Sequence, residues 1–323
     1  AASDVYKRQI QSVGVSACPK HFAANNQELR RMASNSVLDE RTLRELYLTG
    51  FEIAVKEGRP KCIMTSYNRV NGTYANENHH LLQDILHGEW GYDGAVVTDW
   101  GGSNDHVEGV REGSTLEMPC PGFGSAKRLM QAVAEGRLPE SAVDARVDEL
   151  LELVFTTDAA VKAAPKRFDR DAHHALARRA AAESVVLLKN EGGVLPIDLG
   201  RAKTIAVVGE NAIKMMTVGG GSSSLKVRHE YTPLEGIRAA AAGKAEVIYE
   251  RGYVGDVTGD YNGVKTGQDL SESRSEAQLI ADAAAAARKA DAVIFVGGLN
   301  KSNHQDCEGD DRLQYGLPYA QDK

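Results

Sequence analysis

The sequence predicts an α/β protein made of two successive units, each built on a parallel sheet. Three observations carry that prediction. The chain has 323 residues, more than a usual single domain, so two domains are expected. Short apolar runs alternate with amphipathic helical segments over short connections, the pattern of right-handed βαβ units. The alternation breaks once, in the Ala- and Lys-rich stretch "TTDAAVKAAPKRFD", and then resumes. The boundaries read as residues 10–157 for the first unit, 158–169 for a linker and 170–323 for the second. Residues 1–9, "AASDVYKRQ", have no link to the periodicity that follows and are set aside as non-native sequence.

In the first unit, "RTLRELYLTGFEIAVKEG" places Leu43, Leu46, Tyr47, Gly50, Phe51 and Ala54 on one helical face. "KCIMTSY" is a strand ending at Tyr67. "ENHHLLQDILHGEW" is a helix with Leu81, Leu82 and Ile85 inward, and "GAVVTDW" is the next strand. A short helix near Val107 to Arg111 leads to a strand-like end, "STLEMP". Two helices follow, the second with Val143, Val147, Leu150, Leu151 and Val154 on one face. The second unit starts with a helix running from Arg170 toward an apolar segment and a Gly turn. "TIAVVGENA" is a strand, and "TPLEGIRAAAA" a helix opened by a Thr232–Glu235 capping box. Strand "AEVIYERG", helix "SEAQLIADAAAAARKA" and strand "DAVIFVGGL" complete it, with "DVTGDYNGVKTGQDLSES" as a polar surface loop.

Composition narrows the function classes. The net charge is −7 with both signs interspersed, and no basic run points to nucleic acid or to a membrane surface. The apolar runs are too short to span a bilayer as helices. The four cysteines, Cys18, Cys62, Cys120 and Cys307, form no C-x-x-C pair, so they read as free thiols. Gly209 alone does not make a dinucleotide fingerprint, and Lys226 in "GGGSSSLK" is not placed as in a phosphate loop. The adjacent pairs His79–His80 and His173–His174 diverge on a helix. "DCEGDD" lacks the spacing of a calcium loop. No metal or cofactor is expected.

What remains is a pair of carboxylates. In parallel α/β units chemistry gathers at the C-terminal ends of strands, where Lys20–His21, Tyr67 and Asp99 all fall. Asp99 ends one strand of the first unit and Glu308 follows a strand of the second. Glycosidic hydrolysis asks for two such groups, one attacking and one donating a proton. Lys20, His21 and Arg31 supply positive charge around the attacker. A bland reading competes: Asp99 as a helix cap, Lys20–His21 as a loop pair, Tyr67 as core and Glu308 as one of several solvated acids.

Six segments in order tip the balance. "CPKHFAANNQELRRM", "MTSYNRVNGTYANEN", "EWGYDGAVVTDWGG", "LEMP", "AAESVVLLKNEGGVLP" and "CEGDDR" together resemble glycoside hydrolase family 3, of the β-glucosidase type. The resemblance implies the C-terminal half of a (β/α)8, TIM-like barrel followed by an incomplete α/β sandwich, with the active site between them. It implies Asp99 as nucleophile and Glu308 as general acid/base. Lys20, His21 and Arg31 would bind sugar hydroxyls, with Tyr67 beside the nucleophile, Trp100 as a wall of the sugar site and Ser223 reaching in from the Gly-Ser loop. An upstream substrate-binding Asp and an arginine of the family would lie outside this stretch. The implied partner is a β-glucoside or oligosaccharide, cleaved with retention. "KHFAANN" in place of "KHFPGHG" argues against β-N-acetylglucosaminidase. The same segments would also suit a β-xylosidase or an inactive sugar-binding fragment.

Overall fold

The computed structural model describes residues 8–163, 167–217, 221–223, 225, 227–257, 260–261 and 264–322. The chain divides into two compact α/β units, residues 1–169 and 170–323. Of the stretch set aside at the start, residues 1–7 lie outside the described ones. Arg8 and Gln9 continue into a helical turn with Ile10 and Gln11, and Arg8 Nε donates to the Glu57 carbonyl at 3.1 Å.

The first unit holds short strands β1 (Asn35–Ser36), β2 (Cys62–Met64), β3 (Arg69–Val70), β4 (Thr73–Tyr74) and β5 (Ala95–Val97). β2 and β5 pair in parallel, with Ile63 opposite Val96. Two flanking segments extend that pair. On one side Met64 donates to the Pro19 carbonyl and Phe22 donates to the Met64 carbonyl, at 3.0 and 2.8 Å. On the other, Thr98 donates to the Leu116 carbonyl at 3.1 Å, and Val97 bridges Leu116 in parallel. Four parallel segments thus run side by side, 18–22, 62–65, 95–98 and 115–118. Met64 bonds across both Lys20 and His21, so two residues face one. That is a bulge, a device that re-aims side chains at the end of a strand.

Helix α1 is continuous over Glu40–Thr42, Leu43–Leu48 and Thr49–Lys56, capped by Asp39, and its middle stretch has π-type turns. Those wider turns shift the buried face. Leu43 and Leu48 are buried, whereas Leu46, expected inward, is 74% exposed. α2 (His80–Glu89) buries Leu81, Leu82, Ile85 and Leu86 as its pattern predicts. These side chains form one core with Phe22, Ile63, Trp90 and Val96, each large apolar group adding about 1.5–3 kcal/mol on burial. α3 (His106–Glu112), α4 (Phe123–Ala134) and α5 (Glu140–Ala163) follow. Only the first turns of α5 join a core, through Ala142 and Val143 against Val107, Val110, Ala132 and Leu138. Val147, Leu151 and Val154 are exposed. α5 also runs through residues 158–163, read from sequence as linker. "AAVKA" is a strong helix-forming stretch, and Pro165 follows it.

In the second unit, α6 (Arg170–Glu183) has no buried residue, and Val185 to Leu188 beyond it are exposed. β6 (Thr204–Val208), β7 (Glu246–Glu250) and β10 (Ala292–Phe295) form a parallel sheet in the order β10-β6-β7. α7 (Pro233–Ala241) and α8 (Glu276–Lys289) supply the crossovers. Ile205, Val207, Leu234 and Ala241 centre its core. The capping box at α7 is half formed. Thr232 Oγ1 accepts from Glu235 N at 3.3 Å, but the Glu235 carboxylate turns to His229 at 2.8 Å. The loop 256–273 contains a small antiparallel hairpin, β8 (Asp260–Tyr261) with β9 (Val264–Lys265). The sequence joining them is Asn-Gly, a hairpin signal.

Candidate active site

At the C-terminal ends of the four parallel segments of the first unit lie His21 and Met118, within the last residues of two, and Tyr67 and Asp99, just beyond the other two. His21 Nε2 lies 3.2 Å from Asp99 Oδ2, and Trp100 N donates to Asp99 Oδ1 at 2.7 Å. The carboxylate is therefore held by a backbone hydrogen bond on one oxygen and touched by the imidazole at the other, while the side chain stays 14% exposed. Burial pushes the His21 pKa down, opposed by Asp99 and reinforced by Lys20 and Arg31. Burial thus works against the positive charge expected from the sequence, although the ring lies within ion-pair range of Asp99.

Tyr67 is buried and donates its hydroxyl to the Trp100 carbonyl at 2.9 Å. Arg31 stacks over its ring, 4.7 Å from the centroid, and pairs with Glu28 at 2.9 Å. Such cation–π contact fixes the guanidinium plane. Lys20 is exposed beside His21. Trp100 is 62% exposed, presenting an open aromatic surface next to Asp99. Of the residues singled out in this unit, His21 and Asp99 are brought into direct contact, Tyr67 and Arg31 into a second contact, and the Tyr67–Trp100 bond links the two.

In the second unit Glu308 lies against the Gly-Ser loop. Ser222 donates to Glu308 Oε2 from its backbone N at 2.9 Å and from Oγ at 2.7 Å. Gly221 has φ +51°, and a Cβ there would sit 2.7 Å from the same oxygen. Sequence reasoning singles out Ser223 in this loop; these two bonds come from its neighbour Ser222, and Ser223 has contacts of its own. The other acids of "DCEGDD" are placed differently. Asp306 pairs with Lys301 at 2.6 Å, and Arg312 donates to the carbonyls of Tyr315 and Gly316.

A buried network that sequence reasoning misses holds the turn before Glu308. Gly209, at φ +124°, ends β6 where a Cβ would meet the Val296 carbonyl at 2.2 Å. Glu210 and Lys214 follow on a tight helical turn, both fully buried. Glu210 Oε2 accepts from Arg251 Nη2 at 2.9 Å and from Gly255 N at 2.6 Å. Lys214 Nζ lies 3.3 Å from Glu210 Oε1 and donates to Ser302 Oγ at 2.8 Å. Asn300 completes it, donating to Asn211 at 3.0 Å and accepting from Ser302 N at 2.9 Å. Charges this deep persist only when paired. The signal in the sequence is the "GENAIK" spacing, which sets Glu and Lys four residues apart.

Comparison with known proteins places the chain among the glycosyl hydrolases. The model of the glycosyl hydrolase family 3 N-terminal domain matches residues 3–153, starting inside the stretch set aside as non-native. The family 3 C-terminal domain matches residues 185–323. The chain belongs to glycosyl hydrolase family 3. It is 40% identical over 323 residues to thermostable beta-glucosidase B of Acetivibrio thermocellus, covering 100% of this chain and 40% of that protein. It superposes on the Bifidobacterium adolescentis GH3 beta-glucosidase with a TM-score of 0.80 and 35% identity, over 96% of this chain and 42% of the other. Beta-glucosidase 3B from Thermotoga neapolitana in complex with glucose gives 0.79 and 31%, over 95% and 43%. The chain spans about two-fifths of the length of these relatives.

Proposed function

We propose that this chain carries the catalytic residues of a retaining β-glucosidase, cleaving terminal β-D-glucosyl residues by double displacement. On this reading Asp99 attacks the anomeric carbon, and Glu308 protonates the departing oxygen. A covalent glycosyl–Asp99 ester results. Glu308, now ionised, takes a proton from the water that releases the sugar. Lys20, His21 and Arg31 bind sugar hydroxyls, Trp100 offers a stacking wall, and Tyr67 holds the backbone beside Asp99. The Ser222–Ser223 segment positions Glu308. The first unit is read as the C-terminal half of a (β/α)8 barrel, supported by its four adjoining parallel segments, and the second as an incomplete α/β sandwich.

The observation that carries this is the Asp99 carboxylate, set at a strand end, held by the Trp100 backbone N and lying 3.2 Å from the His21 ring. The test is turnover of an aryl β-glucoside by a protein carrying this segment at the relatives' full length. Asp99→Ala should abolish turnover with the fold intact, and azide should restore it as the inverted glycosyl azide. Unchanged turnover in the variant removes Asp99 from the role.

A further inference from the structure

Two cysteines far apart in sequence meet at the N-terminal ends of the strands that carry His21 and Tyr67. The bulge at Lys20–His21 fixes the register behind it. With Met64 opposite those two residues, Pro19 faces Ile63 and Cys18 faces Cys62. The two thiols are near enough for each to influence the other's ionisation. Neighbouring strands lie about 4.8 Å apart, inside the Cα separation of roughly 4.4–6.8 Å that a disulfide spans. Cys18 is exposed and Cys62 buried. A cleft of about 200 Å³ in the same unit is lined in part by residues close to them in sequence, Ser16, Arg59 and Lys61.

We propose that Cys18 and Cys62 are a redox-active dithiol that closes to a disulfide between these two strands, with a small anionic disulfide such as oxidised glutathione as oxidant. The roles are unequal. The neighbouring Cys62 thiol holds the Cys18 thiol below the usual range, against desolvation and with Lys20 assisting. The Cys18 thiol, and then burial, push Cys62 up. The Cys18 thiolate attacks one sulfur of the oxidant, whose S–S bond breaks and releases one glutathione thiol. The Cys62 sulfur then attacks the Cys18 sulfur of the mixed disulfide. The second glutathione leaves and takes up the Cys62 proton. Two protein thiols are oxidised, and one oxidised glutathione is reduced to two thiols.

The experiment treats the folded chain with oxidised glutathione, counts thiols after denaturation, and maps peptides by mass. The chain has four cysteines, so the expected result is a fall from four thiols to two. The Cys18 and Cys62 peptides should be joined, with a mass two hydrogens below their sum. Cys62→Ala should instead trap glutathione on Cys18, whereas Cys18→Ala should leave Cys62 unmodified while folded. A stable glutathione adduct on Cys18 of the unaltered chain without the bridge overturns the proposal. So does a bridge to Cys120 or Cys307 in its place, or the same mixture of bridges with and without urea. Peptide mapping of the unaltered chain decides the matter even where a variant fails to fold.

Discussion

Glu210→Ala should destabilise the second unit more than any surface substitution in it. Glu210 is the hub of the buried network. It accepts from Arg251 through Nε and Nη2 at 3.2 and 2.9 Å, from Gly255 N at 2.6 Å, and pairs with Lys214 at 3.3 Å. Removing it leaves two buried cations. Lys214 keeps Ser302 and the Asp256 carbonyl, and Arg251 keeps the Ser271 carbonyl and Glu272 at 3.9 Å. Breaking a buried ion pair costs about 3–5 kcal/mol. The surviving partners point to the lower end, roughly 3 kcal/mol on this scale, a large share of a typical stability of about 5–15 kcal/mol. Glu210→Gln keeps an acceptor for Gly255 and should cost less, about 1–3 kcal/mol. The assay is urea unfolding with hydrogen exchange on the amides of β6 and β7, which isolates this unit's transition from the other's. Replacing the whole set, Glu210→Leu with Lys214→Met and Arg251→Met, should recover much of the loss, because no charge is then left unpaired. A loss below about 1 kcal/mol in Glu210→Ala would refute the reasoning and make the network incidental to the fold.

Glu308→Ala should spare formation of the covalent intermediate from activated aryl glucosides but stall its hydrolysis, giving a burst of phenol. If Asp306→Ala shows the burst and Glu308→Ala does not, the proton donor has been misassigned. Gly221→Ala, whose Cβ would fall 2.7 Å from the Glu308 carboxylate, should lower kcat well below Ser222→Gly, which keeps the backbone donor and should cost roughly 3–10-fold; equal effects would deny the steric argument. His21 has a depressed folded pKa, so the unfolded chain takes up its proton first as the pH falls. Its contribution to stability is therefore present above the unfolded value, about 6.5, and is lost as pH falls from there through the folded value. His21→Gln should flatten the slope of unfolding free energy against pH in that window, and an unchanged slope would contradict the burial of the ring.

How much of this is legible in the sequence differs between elements. Local periodicity suffices for α2, β5, β6 and α8, because apolar residues at helical or strand spacing have one way to face a core. In-order motifs suffice for the family, and strand-end position suffices to select Lys20–His21, Tyr67 and Asp99. Phase is not always legible where the backbone departs from its ideal period: α2, π-type throughout, keeps its expected face, but α1 does not. The π-type turns of α1 exchange Leu46 for Leu48, and no residue preference announces them. The helical run through residues 158–163 escapes a sequence reading because composition alone does not separate a linker from an exposed helix.

By itself, the sequence determined the α/β class, the order of strands and helices, and the residue types available for chemistry, since these depend on spacing along the chain. The tertiary structure alone decided which side chains touch. It set His21 against Asp99 in a site where burial disfavours the ring's charge, because burial is a property of packing. It set Ser222 on Glu308, because hydrogen-bond geometry is a property of the folded loop. It drew Glu210, Lys214 and Arg251 into one buried cluster and laid Cys18 opposite Cys62 through a bulge. Those contacts join residues about 40 apart in sequence, and only the pairing of strands brings them within bonding distance.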